Sequence, residues 1–283
     1  MSVPAFSDIS KAPSDLLTKD FYHLAKGNLE IKTKAPNGVA FTAKGKQAHE
    51  GAISGSVESK YADKASGVTL TQGWTTANVL DTKIEVDEAF TPGLKGELSS
   101  SFVPSSGAKN AKLAVYFKQP AFQARGFFDL LKGPTFTGDV TVGHEGFLAG
   151  AEIGYDILNG KITKYSAALG YAASAYTTAV TATDSLSVFA ASYYHKVNAF
   201  TEAAAKATWD SKTGQNVGLE VGAKHRLDES AFAKAMINSQ GIATVSYNQI
   251  LRPGVTLGLG LSADTQRLNE SAHKLGFSLS FAA

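Results

Sequence analysis

The sequence has no cysteine, no strong excess of either charge and no long run of large apolar residues. Without cysteine, no disulfide, thiol nucleophile or cysteine-ligated metal site can form. Lys and Arg total 27 and Asp and Glu total 25, which gives a net charge of +2. That balance lacks the broad basic field that nucleic-acid binding requires. The absences therefore exclude several functional classes before any motif is considered.

The sequence also predicts neither a membrane-spanning helix nor a cleaved targeting signal. The longest uncharged stretch, residues 165–183, has one Leu and one Val among mostly Ala, Ser, Thr and Tyr, which is too weakly apolar for a membrane helix. Residues 1–20 lack the apolar core of a secretory signal, and their three aspartates are unlike an acid-poor cleaved presequence. Secretion is not expected.

From about residue 27 onward the chain repeats short runs in which apolar and polar residues alternate. The clearest run is Leu275, Phe277, Leu279 and Phe281 against Lys274, Gly276, Ser278 and Ser280. A period of two is typical of a strand with one apolar and one polar face. Turn signals such as Asn159-Gly160 and Pro253-Gly254 separate the runs. The pattern predicts roughly seventeen to nineteen strands in one antiparallel meander.

So many strands must close into a barrel or split into packed sheets, because open twisted sheets rarely exceed about ten strands. A membrane barrel turns its apolar face to lipid and its polar face to water. A soluble sandwich or lipocalin-like binding protein buries the apolar face instead. The small polar-face residues, mostly Gly, Ser, Thr and Ala, suit a wet wall better than a packed core. The pattern favours the membrane barrel, and the soluble binder remains open.

The amino-terminal segment has a different period. Phe6, Ile9, Pro13, Leu16 and Leu17 fall near helical spacing, which predicts a short amphipathic helix. Ser7 or Asp8 is expected to cap a first turn, and Ser14 a second turn after a break at Pro13. The predicted organisation is a helical segment over residues 1–25 and a barrel over residues 26–283.

Several sequence blocks resemble fungal mitochondrial porins, the voltage-dependent anion channel family. They include GHEGFLAG at residues 143–150 and HKLGFSL at residues 273–279, together with residues 4–9, 15–23, 70–74, 91–95, 193–198 and 251–255. The blocks span the whole chain. The resemblance implies an all-β transmembrane barrel of about 19 strands with the amino-terminal helix inside the pore. It also implies a voltage-gated, weakly anion-selective pore of the mitochondrial outer membrane for ions, ATP, ADP, NADH and phosphate.

The alternation assigns most charged strand residues to the pore wall, with a basic excess. The pore-wall cations expected from it are Lys32, Lys34, Lys44, Lys46, Lys60, Lys83, Lys95, Lys112, Arg125, Lys206, Lys224 and Lys274. The acidic residues of the same parity are Glu30, Glu58, Asp81, Glu85, Glu97, Asp129, Glu202 and Glu220. Together they predict weak anion preference. The resemblance places Lys11 and Lys19 on the pore helix for nucleotide contact or gating, with Asp15 as a competing ion-pair partner.

The final strand resembles the family's insertion signal, with Lys274, Gly276, Leu279 and Phe281 at the signal positions. The resemblance thus implies outer-membrane import and assembly machinery as partners. It implies further partners in the lipid bilayer with its sterols, permeating nucleotides and anions, homo-oligomers and import complexes. Gln72 stands where many animal relatives carry a glutamate linked to kinase binding and calcium effects, so that regulation is doubtful here. No cofactor or metal is expected.

An enzyme is the remaining alternative, and the sequence argues against it. Six histidines are scattered at positions 23, 49, 144, 195, 225 and 273, without a metal-binding pair. The sequence has neither a Gly-x-Ser-x-Gly elbow nor a phosphate-binding Gly-Lys-Ser/Thr loop. Catalysis is therefore not predicted.

Overall fold

A computed structural model describes residues 3–63, 65–87, 91–131, 133–214, 216–270 and 273–282. Nineteen strands make up nearly all of it. The first ten are β1 (Gly27–Lys34), β2 (Ala40–Gln47), β3 (Ile53–Asp63), β4 (Val68–Thr75), β5 (Leu80–Asp87), β6 (Leu94–Val103), β7 (Ala108–Lys118), β8 (Phe122–Asp129), β9 (Thr135–His144) and β10 (Phe147–Asp156). The others are β11 (Lys161–Ala172), β12 (Tyr176–Thr183), β13 (Val188–Lys196), β14 (Thr201–Asp210), β15 (Gly218–Arg226), β16 (Ala231–Asn238), β17 (Ile242–Arg252), β18 (Val255–Asp264) and β19 (Lys274–Ala282).

The strands form one closed sheet. Each strand pairs antiparallel with its neighbours in sequence, and β1 closes the barrel by pairing parallel to β19. At this seam Leu29 lies opposite Leu279 and Ile31 lies opposite Phe281. An odd number of strands in a meander requires one parallel pair, because the first and last strands run in the same direction. The predicted barrel of about 19 strands is confirmed.

Large apolar side chains occupy the outer face in register from strand to strand. One row runs through Tyr61, Leu70, Ile84, Leu98, Leu113, Phe128 and Phe136 on β3 to β9. Most of this face is exposed, with Leu275 at 71% and Leu169 at 66%. An apolar band around the outside of a closed barrel is the surface that lipid covers. The soluble alternative, which would bury this face, is therefore not supported.

Aromatic rings cluster toward one rim of this outer face. Phe147 contacts Tyr171 with ring centroids 4.8 Å apart, and Tyr171 contacts Tyr176 at 5.9 Å. Tyr193 continues the chain at 6.3 Å from Tyr176. Amphipathic rings at a barrel rim are typical of the boundary between hydrocarbon and headgroups. The cluster marks one edge of the membrane-facing band.

The amino-terminal segment contains a 3₁₀ turn at Phe6–Asp8, helix α1 at Lys11–Thr18 and a second 3₁₀ turn at Tyr22–Leu24. The expected caps are wrong: Ala5 precedes the first turn, Ser10 precedes α1, and neither side chain caps. Pro13 causes no break because it lies in the first turn of α1, where its missing N–H is not needed. Among the described helices, none has the length and hydropathy needed to cross a membrane.

Candidate pore lumen

The amino-terminal segment packs on the inner face of the barrel, opposite the apolar band. Phe6 and Ile9 form a buried cluster with Ala168 and Ala179 of β11 and β12. Leu16 and Leu17 of α1 are buried against Ala204 of β14. On their strands, all three wall alanines occupy positions that alternate with the outward-facing apolar residues. Their side chains therefore face the interior. The predicted amphipathic face is thus buried against the wall inside the barrel.

Wall glycines make room for this packing. A Cβ on Gly150 would meet Phe6 and Ile9, and a Cβ on Gly222 would meet Leu17. Near the other end of the segment, Gly258, Gly260 and Gly276 lie against the backbone or ring of Tyr22. Val3 lies beside Gly143, next to the β9–β10 turn, and His23 contacts His49 in the β2–β3 turn. These two turns lie at opposite rims, so the segment crosses the lumen from rim to rim.

Wall cations fix the segment at two places. Lys234 of β16 donates from Nζ to the carbonyl oxygens of Asp15 at 3.2 Å and Lys19 at 2.8 Å. Arg125 of β8 donates from a guanidinium nitrogen to the hydroxyl of Ser7 at 3.2 Å. Both side chains are inner-face residues with little exposure, 2% for Lys234 and 16% for Arg125. The wall therefore binds the helix through polar as well as apolar contacts.

The structure places every predicted pore-wall cation on the inner face. One row joins neighbouring strands in register through Lys60, Thr71, Lys83, Ser99 and Lys112 of β3 to β7. Adjacent inner rows are acidic, with Glu58 and Asp81 on one side and Glu85 and Glu97 on the other. The amino-terminal segment contacts the strands from β8 to β19. The basic row thus lies on a different arc of the wall from the helix.

Ion pairs engage about half of these wall cations. Glu30 pairs with Lys32 at 2.9 Å and Lys44 at 3.4 Å, and Glu85 pairs with Lys83 at 3.4 Å and Lys95 at 2.5 Å. Lys112 pairs with Asp129 at 3.9 Å, and Arg125 pairs with Asp139 at 2.9 Å. Within the described ranges, no carboxylate lies within 4.0 Å of the ammonium of the other six: Lys34, Lys46, Lys60, Lys206, Lys224 and Lys274. These six carry the least compensated positive charge of the predicted set.

The helix lysines point into the lumen. Lys11 retains 54% exposure and lies 3.6 Å from Asp8, while Lys19 retains 59% and donates to Asp15 at 2.8 Å. The hydrogen bond from its ammonium to Asp15 raises the pKa of Lys19 above its ordinary value. Both lysines are reachable from the lumen. Their role in nucleotide contact or gating stays a prediction.

The sequence analysis missed several inner-face charges, and four of them form contacts that matter here. These four are Asp139, Glu152, Lys164 and Lys234 on β9, β10, β11 and β16. Lys164 pairs with Glu152, and Arg125 pairs with Asp139. Their alternation with outward residues could have placed all four. The contact of Lys234 with the helix could not have been found this way, because it depends on where the helix docks.

The predicted insertion-signal residues lie on both faces of β19. Lys274 and Gly276 face the lumen, where Gly276 lies against Tyr22 and Ala25. Leu279 and Phe281 face outward and lie opposite Leu29 and Ile31 across the seam. Gln72 is exposed on the outer face of β4, between Ser59 and Thr82 of the adjacent strands. No group of three potential metal ligands occurs in the described part of the chain.

A closed sheet with an apolar outer band and a charged, water-accessible interior defines the class of β-barrel membrane channels. The comparisons identify the family. A model of the eukaryotic porin family matches residues 2–276, and the chain belongs to that family. Full-length relatives named mitochondrial outer membrane protein porin and voltage-gated ion channel further identify it as a channel of the voltage-dependent anion channel type and a β-barrel of the mitochondrial outer membrane. It is not an enzyme, since this family consists of channels.

Several relatives are similar over their whole length. The chain is 56% identical to the mitochondrial outer membrane protein porin of Neurospora crassa, with 99% of both chains covered. It is 46% identical to non-selective voltage-gated ion channel 1 of Saccharomyces cerevisiae and 33% identical to human VDAC1, with at least 99% of each chain covered. A solved Rh. blastica porin mutant matches at a TM-score of 0.52 and 6% identity over 81% of this chain and 89% of that chain, which supports the fold alone.

Proposed function

We propose that this channel is a weakly anion-preferring diffusion pathway for nucleotides, phosphate and other small hydrophilic metabolites, and that it closes partly at elevated voltage. The basic row of Lys60, Lys83 and Lys112 on the arc of wall away from the helix is the observation that carries the proposal. Lys112 keeps 58% of its side chain exposed although it pairs with Asp129. Permeating anions therefore meet cations on this arc.

The width of the barrel supports metabolite passage. Nineteen strands about 4.8 Å apart and tilted about 40° give a backbone diameter of roughly 38 Å. Side chains reduce the lumen to about 25 Å, and a helix about 10 Å across narrows it further. A nucleotide fits through such an opening and a folded protein does not. Wall charges act over about 8 Å at physiological salt, so the preference for anions is expected to be weak.

Voltage closure requires charges that move through the field. Moving one charge across 100 mV is worth about 2.3 kcal/mol, so a few charges moving together suffice at tens of millivolts. The amino-terminal segment carries Lys11 and Lys19 into the lumen and is joined to the wall by side-chain packing and a few hydrogen bonds. We propose this segment, together with the first strands, as the moving element.

Reversal potentials in a planar bilayer with a KCl gradient test the anion preference. Lys112→Met should move the reversal potential toward the value of an unselective pore, because it removes a lumenal cation. Lys109→Met is the matched control, since Lys109 lies on the same strand but on the outer face, over the ring of Phe102 at 5.9 Å. No conductance from the folded wild-type barrel, or equal shifts in the two variants, would contradict the proposal.

We also propose that β19 is recognised by the assembly machinery of the outer membrane. Support comes from its signal-like residues and from its position at the closing seam, where it pairs with β1. Leu279→Ser with Phe281→Ser should reduce insertion into isolated mitochondria while binding at the surface persists. The paired change Leu259→Ser with Leu261→Ser on the outer face of β18 is the control. Equal loss in both would contradict specific recognition.

A further inference from the structure

We propose that Lys234 is a positioning residue that holds the carboxyl end of α1 against the wall of the pore. Its ammonium donates to the carbonyl oxygens of Asp15 and Lys19. It also lies 3.8 Å from Oδ2 of Asp20 and 5.0 Å from the ring centroid of Phe21. Each of these contacts belongs to the amino-terminal segment, although Lys234 is more than 200 positions away in sequence.

The end of a helix is a suitable partner for a buried cation. The last carbonyl groups of an α-helix have no partner within the helix, and the aligned peptide dipoles give that end a partial negative charge. The carbonyl of Lys19 directly follows α1, whereas the carbonyl of Asp15, in the last turn, also accepts the backbone N–H of Lys19 at 3.1 Å. A buried ammonium is costly unless its hydrogen bonds are satisfied. The two carbonyls, Asp20 and the Phe21 ring supply that environment.

The burial of Lys234 depends on the docked segment. Its side chain is 2% exposed although it lies on the lumenal face of a strand, and the residues that cover it come from α1 and the turn after it. Displacement of the helix would uncover both the ammonium and the two carbonyls to water. Docking and the contacts of Lys234 are therefore coupled, and removing the ammonium should favour the displaced helix.

Lys224 is a natural control for the charge itself. It lies directly opposite Lys234 on the neighbouring strand β15, at the same level of the pore and with the same parity. Its ammonium lies 4.6 Å from the ring centroid of Phe232, a wall residue, and makes no hydrogen bond to the helix in the described structure. Lys234→Met and Lys224→Met therefore remove the same charge at the same depth, but only one removes a helix contact.

Label mobility tests the inference without any need for conduction. The chain lacks cysteine, so Thr18→Cys introduces a single thiol on the lumenal side of α1 for a spin label. In the refolded barrel, Lys234→Met should increase the mobile fraction of the label about tenfold, equivalent to about 1.4 kcal/mol. Lys224→Met should leave the label immobile, and Lys234→Arg, which keeps the cation and its donors, should remain close to wild type.

An immobile label in folded Lys234→Met, or equal mobility in both methionine variants, would overturn the inference. Circular dichroism establishes that each barrel has folded. If Lys234→Met does not fold, Lys234→Gln gives the same comparison with a single amide donor in place of the ammonium.

The closing voltage in planar bilayers is a second readout. Its use rests on the proposed function, which includes partial closure at elevated voltage. In planar bilayers Lys234→Met should close at lower voltage than wild type, whereas Lys224→Met should change ion preference but keep the wild-type closing voltage. Absence of voltage closure in the wild type would refute the proposed gating and leave the label result to decide the role of Lys234. A mobile label with unchanged closing voltage would refute the gating role alone.

Discussion

Glu85 and Glu97 lie directly opposite each other on neighbouring strands, and both face the lumen. Like charges in register are unfavourable unless cations lie between them. Lys83 lies 3.4 Å from a carboxylate oxygen of Glu85 and 3.9 Å from one of Glu97. Lys95 donates to the other oxygen of Glu85 at 2.5 Å. The two lysines therefore compensate a carboxylate pair in addition to charging the pore.

Lys83→Met should reduce anion preference, because it removes a lumenal cation. It should also reduce barrel stability, because the repulsion between Glu85 and Glu97 is then less compensated. The expected loss of stability is about 1 kcal/mol, since the pair is partly exposed to lumen water. Lys60→Met is the matched change in the same inner row, without a carboxylate within ion-pair distance in the described residues. It should reduce anion preference alone. Urea unfolding in detergent and reversal potentials measure the two effects, and equal stabilities would contradict this account.

Gly276→Ala should displace the turn that joins the helix to the barrel. A Cβ at this position would overlap the carbonyl oxygens of Tyr22 and Ala25, and neither is a flexible side chain that can move aside. Forcing extra atoms into such a contact costs about 1–3 kcal/mol. Gly96→Ala on β6 is the control, because nothing lies within 4 Å of its added Cβ. Unfolding midpoints in detergent should fall for Gly276→Ala only.

Gly276→Ala also distinguishes a role of Gly276 in docking the amino-terminal segment from a role in the insertion signal. If Gly276 serves only the docking of Tyr22, then Gly276→Ala should insert into isolated mitochondria as the wild type does. Reduced insertion of this variant, with normal insertion of Gly96→Ala, would instead support a part for Gly276 in the insertion signal.

Docking of the turn at Tyr22–Leu24 should weaken in mild acid. Burial lowers the pKa of His23, and the nearby Lys274 and His49 lower it further. The docked state therefore favours the neutral imidazole, so its stability is greatest above the ordinary histidine pKa of about 6.5. That stability is lost progressively as the pH falls below this value. A spin label at Leu24→Cys, an exposed position, should become more mobile between about pH 7.5 and 5.

His23→Gln removes the titrating group and should abolish this change. A His49→Gln variant checks the neighbouring imidazole, whose Nε2 lies 2.6 Å from the carbonyl oxygen of His23. If the pH response disappears with His49→Gln but survives in His23→Gln, the assignment to His23 is wrong.

Nucleotide block of the pore should depend on the helix lysines. Lys19→Met should weaken ATP block of the KCl current by about twofold, the effect of one exposed ion contact. Asp15→Asn should strengthen the block, because it removes the carboxylate charge that pairs with the ammonium of Lys19. Lys11→Met should act like Lys19→Met, since Lys11 is similarly exposed. Unchanged ATP block in both lysine variants would show that the lysines of α1 do not contact the permeating nucleotide.

Alternation in the sequence predicted a meander of roughly seventeen to nineteen strands and the correct face for the wall residues that it assigned. Leu275 and Phe277 face outward, and Lys60, Lys83 and Lys224 face inward, because a strand offers only two sides. The docking of the amino-terminal segment was not predictable to this detail. The start of α1 at Lys11 and the contacts of Lys234 depend on the shape of a wall assembled from strands distant in sequence. Local capping preferences therefore gave the wrong helix start.

The parallel seam determines the sidedness of the protein. β1 and β19 run in the same direction, so the chain enters the first strand at one rim and leaves the last strand at the other. The backbone N–H of Ala282 bonds to Gly254 in the β17–β18 turn, which shares its rim with residues 35–39. Epitopes placed after β19 and within residues 35–39 should thus report the same compartment. One placed within residues 48–52 should report the opposite compartment.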